Sequence, residues 1–297
     1  MWVDRTGKPL SKALTRRSAI TPRISPDGRQ IAVQAASADG VKNIWIYDID
    51  NDTNVQLTYK GDSSNPVWDH EGKRVTYGSW ERGDGTDKLY WKAADGSSEE
   101  ELLWQKQPYL LAGSWSPDGK RLAFYEINAG TLRDIGVLSL QDSSKSLFVA
   151  TEANEMSPVF SPDGNWIAYS SNETGRYEVY VKSYPVTGAK YAISNDGGNQ
   201  PVWAPDGNEL FYRNGDKMMV VTVETNPAFK VGTPRKLFEG YRGKKNNDGF
   251  RANYDIHPDG NRFLMVEQEE EKLINHINVV LNWSEELKQL KVSGGEK

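Results

Sequence analysis

The chain has 297 residues, no cysteine, and 36 Lys plus Arg against 41 Asp plus Glu, for a formal net charge of −5. These values exclude a disulfide framework and thiol chemistry, and they leave no basic field to hold nucleic-acid phosphates. Met1 to Lys8 lacks the apolar core of an export signal, and no apolar run reaches membrane-spanning length.

Taken in chain order, Trp2-Val3-Asp4 followed by a turn at Arg5-Thr6-Gly7 reads as a strand like the later Trp45-Ile46-Tyr47-Asp48. Residues 11–15 read as a short strand after it. A phrase then appears that returns six times: a large apolar residue, Ser-Pro-Asp-Gly or a close variant, and an alternating apolar stretch. The copies are Ile24-Ser25-Pro26-Asp27-Gly28, Trp68-Asp69-His70-Glu71-Gly72, Trp115-Ser116-Pro117-Asp118-Gly119, Phe160-Ser161-Pro162-Asp163-Gly164, Trp203-Ala204-Pro205-Asp206-Gly207 and Ile256-His257-Pro258-Asp259-Gly260. Their glycines are 44, 47, 45, 43 and 53 residues apart. A period of about 40–50 residues with strand-like content marks propeller blades.

Within each copy, proline presets the first central residue of a type I turn and glycine suits its end. Stretches such as Ile31-Ala32-Val33 and Leu122-Ala123-Phe124 alternate with the period of a strand. Third strands are expected at residues 43–49, 88–92, 134–140, 177–183, 217–223 and 277–283, and short fourth strands after most of them, as at Val55-Gln56-Leu57-Thr58. Four antiparallel strands per unit, arranged radially, leave few free edges. The expectation is an all-β, six-bladed propeller of four-stranded antiparallel blades, closed by N- and C-terminal strands. Residues 11–15 would pair with 277–283, and Trp2-Val3-Asp4 would be left over from a longer parent chain. Residues 1–290 would form one domain, with a helical turn or two at 284–290 and a frayed tail at 291–297. Trp68, Trp115 and Trp203 share one repeat position and are expected between blades as core.

These phrases resemble the TolB-type propeller repeat. Trp2-Val3-Asp4-Arg5-Thr6-Gly7, the run from Ser161 to Arg176, Gly197-Gly198-Asn199-Gln200-Pro201-Val202-Trp203 and Val279-Val280-Leu281-Asn282-Trp283 more narrowly resemble the propeller region behind bacterial eukaryotic-like Ser/Thr kinase domains. The resemblance implies a sensing or protein-interaction role in the bacterial periplasm or another extracytoplasmic compartment. It also allows a kinase or other domain in a longer parent. No kinase signature occurs in the chain itself.

Chemistry is sparse. The Gly-x-Ser-x-Gly elbow of a hydrolase is absent, and His70, His257 and His276 are too few for a metal-dependent lyase site. His70 and His257 are expected to face solvent in their turns. No cofactor or metal is implied.

The loops joining second to third strands, and each fourth strand to the next blade, meet at one mouth. Arg16, Trp80, Arg82, Tyr109, Glu126, Glu155, Asn172, Glu173, Arg176, Gln200, Arg213, Tyr241 and Arg251 fall there. Arg and aromatic side chains on loops suit recognition of a protein or peptide. The chain therefore reads as a non-catalytic binding module, with no nucleic acid and no membrane insertion. The alternative is a propeller hydrolase or lyase using carboxylates and Arg at the channel.

Overall fold

The computed structural model describes residues 1–14, 19–37, 40–80, 85–106, 109–128, 130–188, 190–241 and 252–266. The sequence phrases organise it. Blade 1 is built from Ile20–Ile24, Gln30–Ala36, Lys42–Asp48 and Thr53–Gln56, and blade 2 from Asp62–Trp68, Arg74–Trp80, Asp87–Ala93 and Glu101–Lys106. Blade 3 contains Leu110–Trp115, Arg121–Ile127, Arg133–Ser139 and Lys145–Val149, and blade 4 Glu155–Phe160, Trp166–Ser171, Glu178–Ser183 and Lys190–Ala192. In blade 5, Asn199–Trp203, Glu209–Asn214 and Lys217–Glu224 carry an outer edge shared by Lys230–Val231 and Arg235–Glu239. The fold is an all-β propeller of six antiparallel blades.

Closure differs from the expectation. Blade 6 takes its first two strands, Tyr254–Ile256 and Arg262–Met265, from the far end of the chain and its outer two, Trp2–Asp4 and Pro9–Ser11, from the beginning. Trp2 pairs with Leu264 and Val3 with Phe263, so Trp2–Asp4 is the third strand of the closing blade and not a leftover. Ser11 pairs with Trp2, and its expected partner at residues 277–283 lies outside the described residues. Pairing two strands from each end leaves neither terminal pair as a marginal hairpin. Residues 277–283, 284–290 and 291–297 lie outside the described residues.

The repeated phrase is explained by its hydrogen bonds. Ser25 Oγ donates to Asp27 Oδ1 at 2.5 Å and accepts the N–H of Gln30 at 2.9 Å, while Asp27 Oδ1 accepts the N–H of Arg29. Ser116 with Asp118, and Ser161 with Asp163, repeat the arrangement. Where Asp69 replaces serine, its carboxylate accepts the N–H groups of both Lys73 and Arg74. The turn glycines have φ between +67° and +76°, a region that favours glycine. A Cβ on Gly164 would sit 3.1 Å from Pro117 of the preceding blade, and one on Gly28 would sit 2.6 Å from His257 Nε2. Five of the six turn glycines thus face a residue of the preceding blade's turn, Gly260 being the exception.

The core is not central. It is divided among wedges between consecutive blades, such as Ala32, Ile44, Ile46 and Leu57 of blade 1 against Trp68, Val75 and Tyr77 of blade 2. Trp68, Trp115 and Trp203 lie buried in these wedges as expected. Their indole N–H groups donate into the preceding blade, to Arg23 O, Thr76 Oγ1 and Val159 O respectively. Trp2 joins Leu264 to Ile24, Ile31, Val33 and Tyr47, so the wedge between blades 6 and 1 is sealed by the N-terminal strand.

Candidate functional site

The first strand of every blade lines the axial channel, and strand alternation decides what faces it. The large apolar residue of each phrase points into a wedge, so the residue before it belongs to the channel wall. That position holds Arg23, Val67, Ser114, Val159, Val202 and Asp255, all lining a cavity of about 400 Å³. The volume is within the range of ligand pockets. The cavity opens among the turns, since Ser25, Pro26, His70, Pro117, Pro205 and Pro258 belong to its wall together with Trp68, Trp115 and Trp203.

Two residues deeper, the strands bulge. Register shifts interrupt the first strands of blades 1 to 5, and Thr21, Asn65, Ser157 and Gln200 take φ of +50° to +56°. Such values are strained for side-chain-bearing residues, threonine above all. Bonds between blades hold them. Asn253 Oδ1 accepts the N–H of Thr21, Gln200 Oε1 accepts the N–H of Asn253, and Asn65 Nδ2 donates to Ala112 O of the next blade. These polar side chains form a collar, and the cavity reaches it at Asn65, Ala112 and Ser157.

The wall carries one cation and one anion side by side at the junction of blades 1 and 6. Arg23 Nη1 donates to Pro22 O at 2.6 Å and to Ala252 O at 3.1 Å. Asp255 Oδ2 accepts the N–H of Ile24 at 2.8 Å and its Oδ1 that of Ile256 at 2.9 Å. Burial depresses the pKa of Arg23, opposed by Asp255. Burial likewise raises Asp255, with the Arg23 charge pulling the other way. The remaining cavity carboxylate, Asp69, is held in its turn by the backbone. Among the described residues no group of three or more His, Asp or Glu side chains is placed to hold a metal ion.

Among the described residues, those selected from sequence do not line this cavity. Arg16, Arg82 and Arg251 lie outside the described residues. Trp80, 41% exposed, ends the second strand of blade 2. Glu126 is fully buried and ion-paired to Lys106 at 2.9 Å and Lys145 at 2.8 Å. Burial works to raise its pKa, but bonds from Lys145, Lys106 and Asn128 outweigh it and hold the carboxyl below the ordinary range. Glu155 is equally buried, and burial raises it despite bonds from Thr151 and Ser171.

Arg176 clamps Glu178 at 2.6 Å, Glu173 pairs with Lys190, and Asn172 Oδ1 accepts the N–H of Asn154. Tyr109 packs beside Tyr125 and beneath Arg133. Arg213 donates to Gly215 O and Tyr241 O, while the Tyr241 hydroxyl donates to Gly7 O at 2.8 Å. Gln200 belongs to the collar. Apart from Trp80, the described members of the set are engaged in contacts within a blade, as at Arg176–Glu178, or between blades, as at Glu126–Lys106 and Tyr241–Gly7. His257 is also not a solvent-facing turn residue: it packs edge-on to Trp2, and its Nε2 lies 3.0 Å from Arg262 Nη2.

Sequence reasoning passed over Arg23 and Asp255. The signal was available in the aligned repeats, where the channel-wall position is charged in adjacent blades and Val or Ser elsewhere.

Fold and site together define a six-bladed propeller whose axial channel widens into a ligand-sized cavity at its turn end. The profile of the TolB beta propeller domain family matches residues 5–132 and 65–231, and the chain belongs to that family. It is 24% identical over 199 residues to the "Uncharacterized peptidase YuxL" of Bacillus subtilis, covering 53% of this chain and 30% of that protein. It is 28% identical over 102 residues to a "Protein TolB homolog" of Chlorobaculum tepidum, covering 34% and 23%. The chain therefore spans less than a third of the length of these relatives. In structure it is similar to TolB from Agrobacterium tumefaciens, with a TM-score of 0.67 at 18% identity over 82% of this chain and 88% of the other. It is also similar to an oligogalacturonate lyase in complex with manganese, with a TM-score of 0.57 at 14% identity over 86% and 78%. These likenesses concern the fold.

Proposed function

We propose that the chain is a non-catalytic binding module that captures a segment of a protein partner in the cavity at the turn end of its channel. The observation that carries this reading is the composition of the wall. Indoles, prolines and valines from all six blades form a preorganised apolar surface, and both wall carboxylates are occupied by backbone N–H groups. A hydrolase or lyase would need a carboxylate or nucleophile free to act on a substrate. A rigid wall lets a partner bind at low ordering cost on the receptor side.

The proposed site is the turn end, and the loop-end residues favoured by sequence are its competitor. The resemblance to TolB proteins supports an extracytoplasmic setting. The narrower resemblance to kinase-associated propellers is supported only by the phrases at Trp2–Gly7, Ser161–Arg176, Gly197–Trp203 and Val279–Trp283. In a parent of that kind, capture at the channel would be the sensing event. The similarity to YuxL favours a second reading, in which the propeller accompanies a peptidase domain carried elsewhere.

The test is selection from a random peptide library displayed against the folded protein, with ester, glycan and peptide substrates assayed in parallel. Cavity-directed peptides without turnover are expected. Turnover by the chain, or an empty selection, would overturn the module reading.

A further inference from the structure

We infer that Arg23 is the receptor for a carboxylate, an Asp or Glu side chain on a peptide segment that enters the turn-end cavity. This inference rests on the binding-module reading and names the chemistry of its ligand. Arg23 alone among the six wall positions carries a cation; its counterparts are Val67, Ser114, Val159, Val202 and Asp255. Its Nη1 is fixed by two backbone carbonyls, which sets the plane of the guanidinium. Its Nε and Nη2 have no hydrogen-bond partner among the described residues. That edge is the fork that matches a carboxylate with two parallel bonds.

The neighbouring acid does not fill the role. Both oxygens of Asp255 accept backbone N–H groups, and no ion pair within 4.0 Å joins it to Arg23. Burial depresses the Arg23 pKa, so the cation is held where solvent compensates it poorly. A counter-charge brought by a ligand corrects that deficit. Depth selects the kind of carboxylate. Arg23 lies three residues before Pro26 on the rim, about 10 Å at the rise of a strand. Pro22 O and Ala252 O hold the guanidinium on the collar side of Arg23, so the acid must be carried into the cavity, which a side chain within a bound segment does. The indoles and prolines around the site then receive the apolar residues flanking the acid.

The experiment uses peptides selected on the parent protein and resynthesised in three forms: as selected, with the acid changed to its amide, and with an amidated C-terminus. Binding is read by tryptophan fluorescence and calorimetry. The expected result is an Asp or Glu at a fixed place in the selected peptides and a loss of roughly tenfold or more on Glu→Gln or Asp→Asn. The protein variant Arg23→Gln should weaken the acidic peptide by a similar factor and bind acid and amide forms alike. Arg23→Lys, which retains charge but not the fork, should fall between.

Selected peptides without a fixed acid, or an Arg23→Gln protein that still distinguishes acid from amide, would overturn the inference and leave the module reading standing. Sensitivity to C-terminal amidation alone would replace the side chain with a chain terminus and overturn it as stated. An empty selection removes the module reading itself, and the inference with it.

Discussion

Asp255 Oδ2 accepts the backbone N–H of Ile24 at 2.8 Å, across the junction where the last blade meets the first. Ser114 Oγ does the same for the N–H of Phe160 between blades 3 and 4. One repeat position therefore serves two ends: a polar side chain there bridges to the next blade, and the same position walls the channel. Ligand chemistry and closure share residues at the blade 6 to blade 1 junction, which is why Arg23 stands beside a carboxylate it does not pair with.

Asp255 and Glu155 are both pushed above their ordinary pKa values by burial. A carboxyl raised in the folded state contributes stability that is complete below its unfolded pKa and is lost as pH rises through its folded value. Glu155→Gln removes one such titration. Its urea-unfolding free energy, measured from pH 4 upward to neutrality (roughly the span of a raised carboxylate), should therefore gain on the parent as pH rises. Parallel profiles for parent and variant would refute the assignment.

The turn glycines separate strain from contact. Gly260 has φ +71° and nothing within 4 Å of a Cβ, whereas at Gly28, with φ +76°, a Cβ would meet His257 Nε2 at 2.6 Å. His257 is itself held by Arg262 and Trp2. Gly260→Ala should cost about 1–2 kcal/mol, the backbone strain alone, and Gly28→Ala clearly more. Gly164→Val, at φ +74° and 3.1 Å from Pro117, should cost roughly 1–3 kcal/mol. Equal losses at Gly28 and Gly260 in thermal unfolding would mean that the turns do not dock blade on blade.

Removing residues 1–11 should do more than shorten an end. The deletion strips the third and fourth strands from blade 6, exposes the backbone edge of Arg262–Met265 and takes Trp2 from its wedge. It also removes Arg5, which pairs with Glu209 of blade 5 at 2.6 Å and donates to Gly260 O at 3.1 Å. A large fall in melting temperature is expected, and Trp2→Ala alone should cost about 3–5 kcal/mol. A deletion variant that melts with the parent would refute closure by the N-terminal pair.

The repeat made most of this architecture legible. Ser-Pro-Asp-Gly announces its own hydrogen bonds, and alternation after it locates the second strand, so blade number and turn geometry follow from local chemistry. Closure was harder, because Trp2-Val3-Asp4 carries the pattern of a third strand while its partner, Phe263-Leu264, lies at the other end of the chain. The site was hardest. Glu126, Glu155, Arg176 and Arg213 are polar residues in or beside strand ends, and only packing reveals that Lys106 and Lys145, Thr151 and Ser171, Glu178, and backbone carbonyls respectively already engage them. Arg23 lies next to a phrase that draws attention to its own turn.

The two ends of the channel can be told apart directly. Val202 walls the cavity at the turn end, and Trp80 is an exposed aromatic from the set assigned to the loop end. Val202→Trp should fill part of the cavity without touching the wedge residue Trp203, and capture of a selected peptide should fall at least tenfold. Overpacking from such a change typically costs about 1–3 kcal/mol of stability, so circular dichroism and the melting temperature must show a folded variant. Trp80→Ala removes a side chain that is 41% exposed and should leave both fold and capture unchanged. Tyr241→Ala is unsuitable as a loop-end probe, because its hydroxyl donates to Gly7 O and its ring packs edge-on to Phe238. Loss of capture in Trp80→Ala with capture intact in Val202→Trp would move the site to the loop end, and the cavity would then be only the space left where six blades meet.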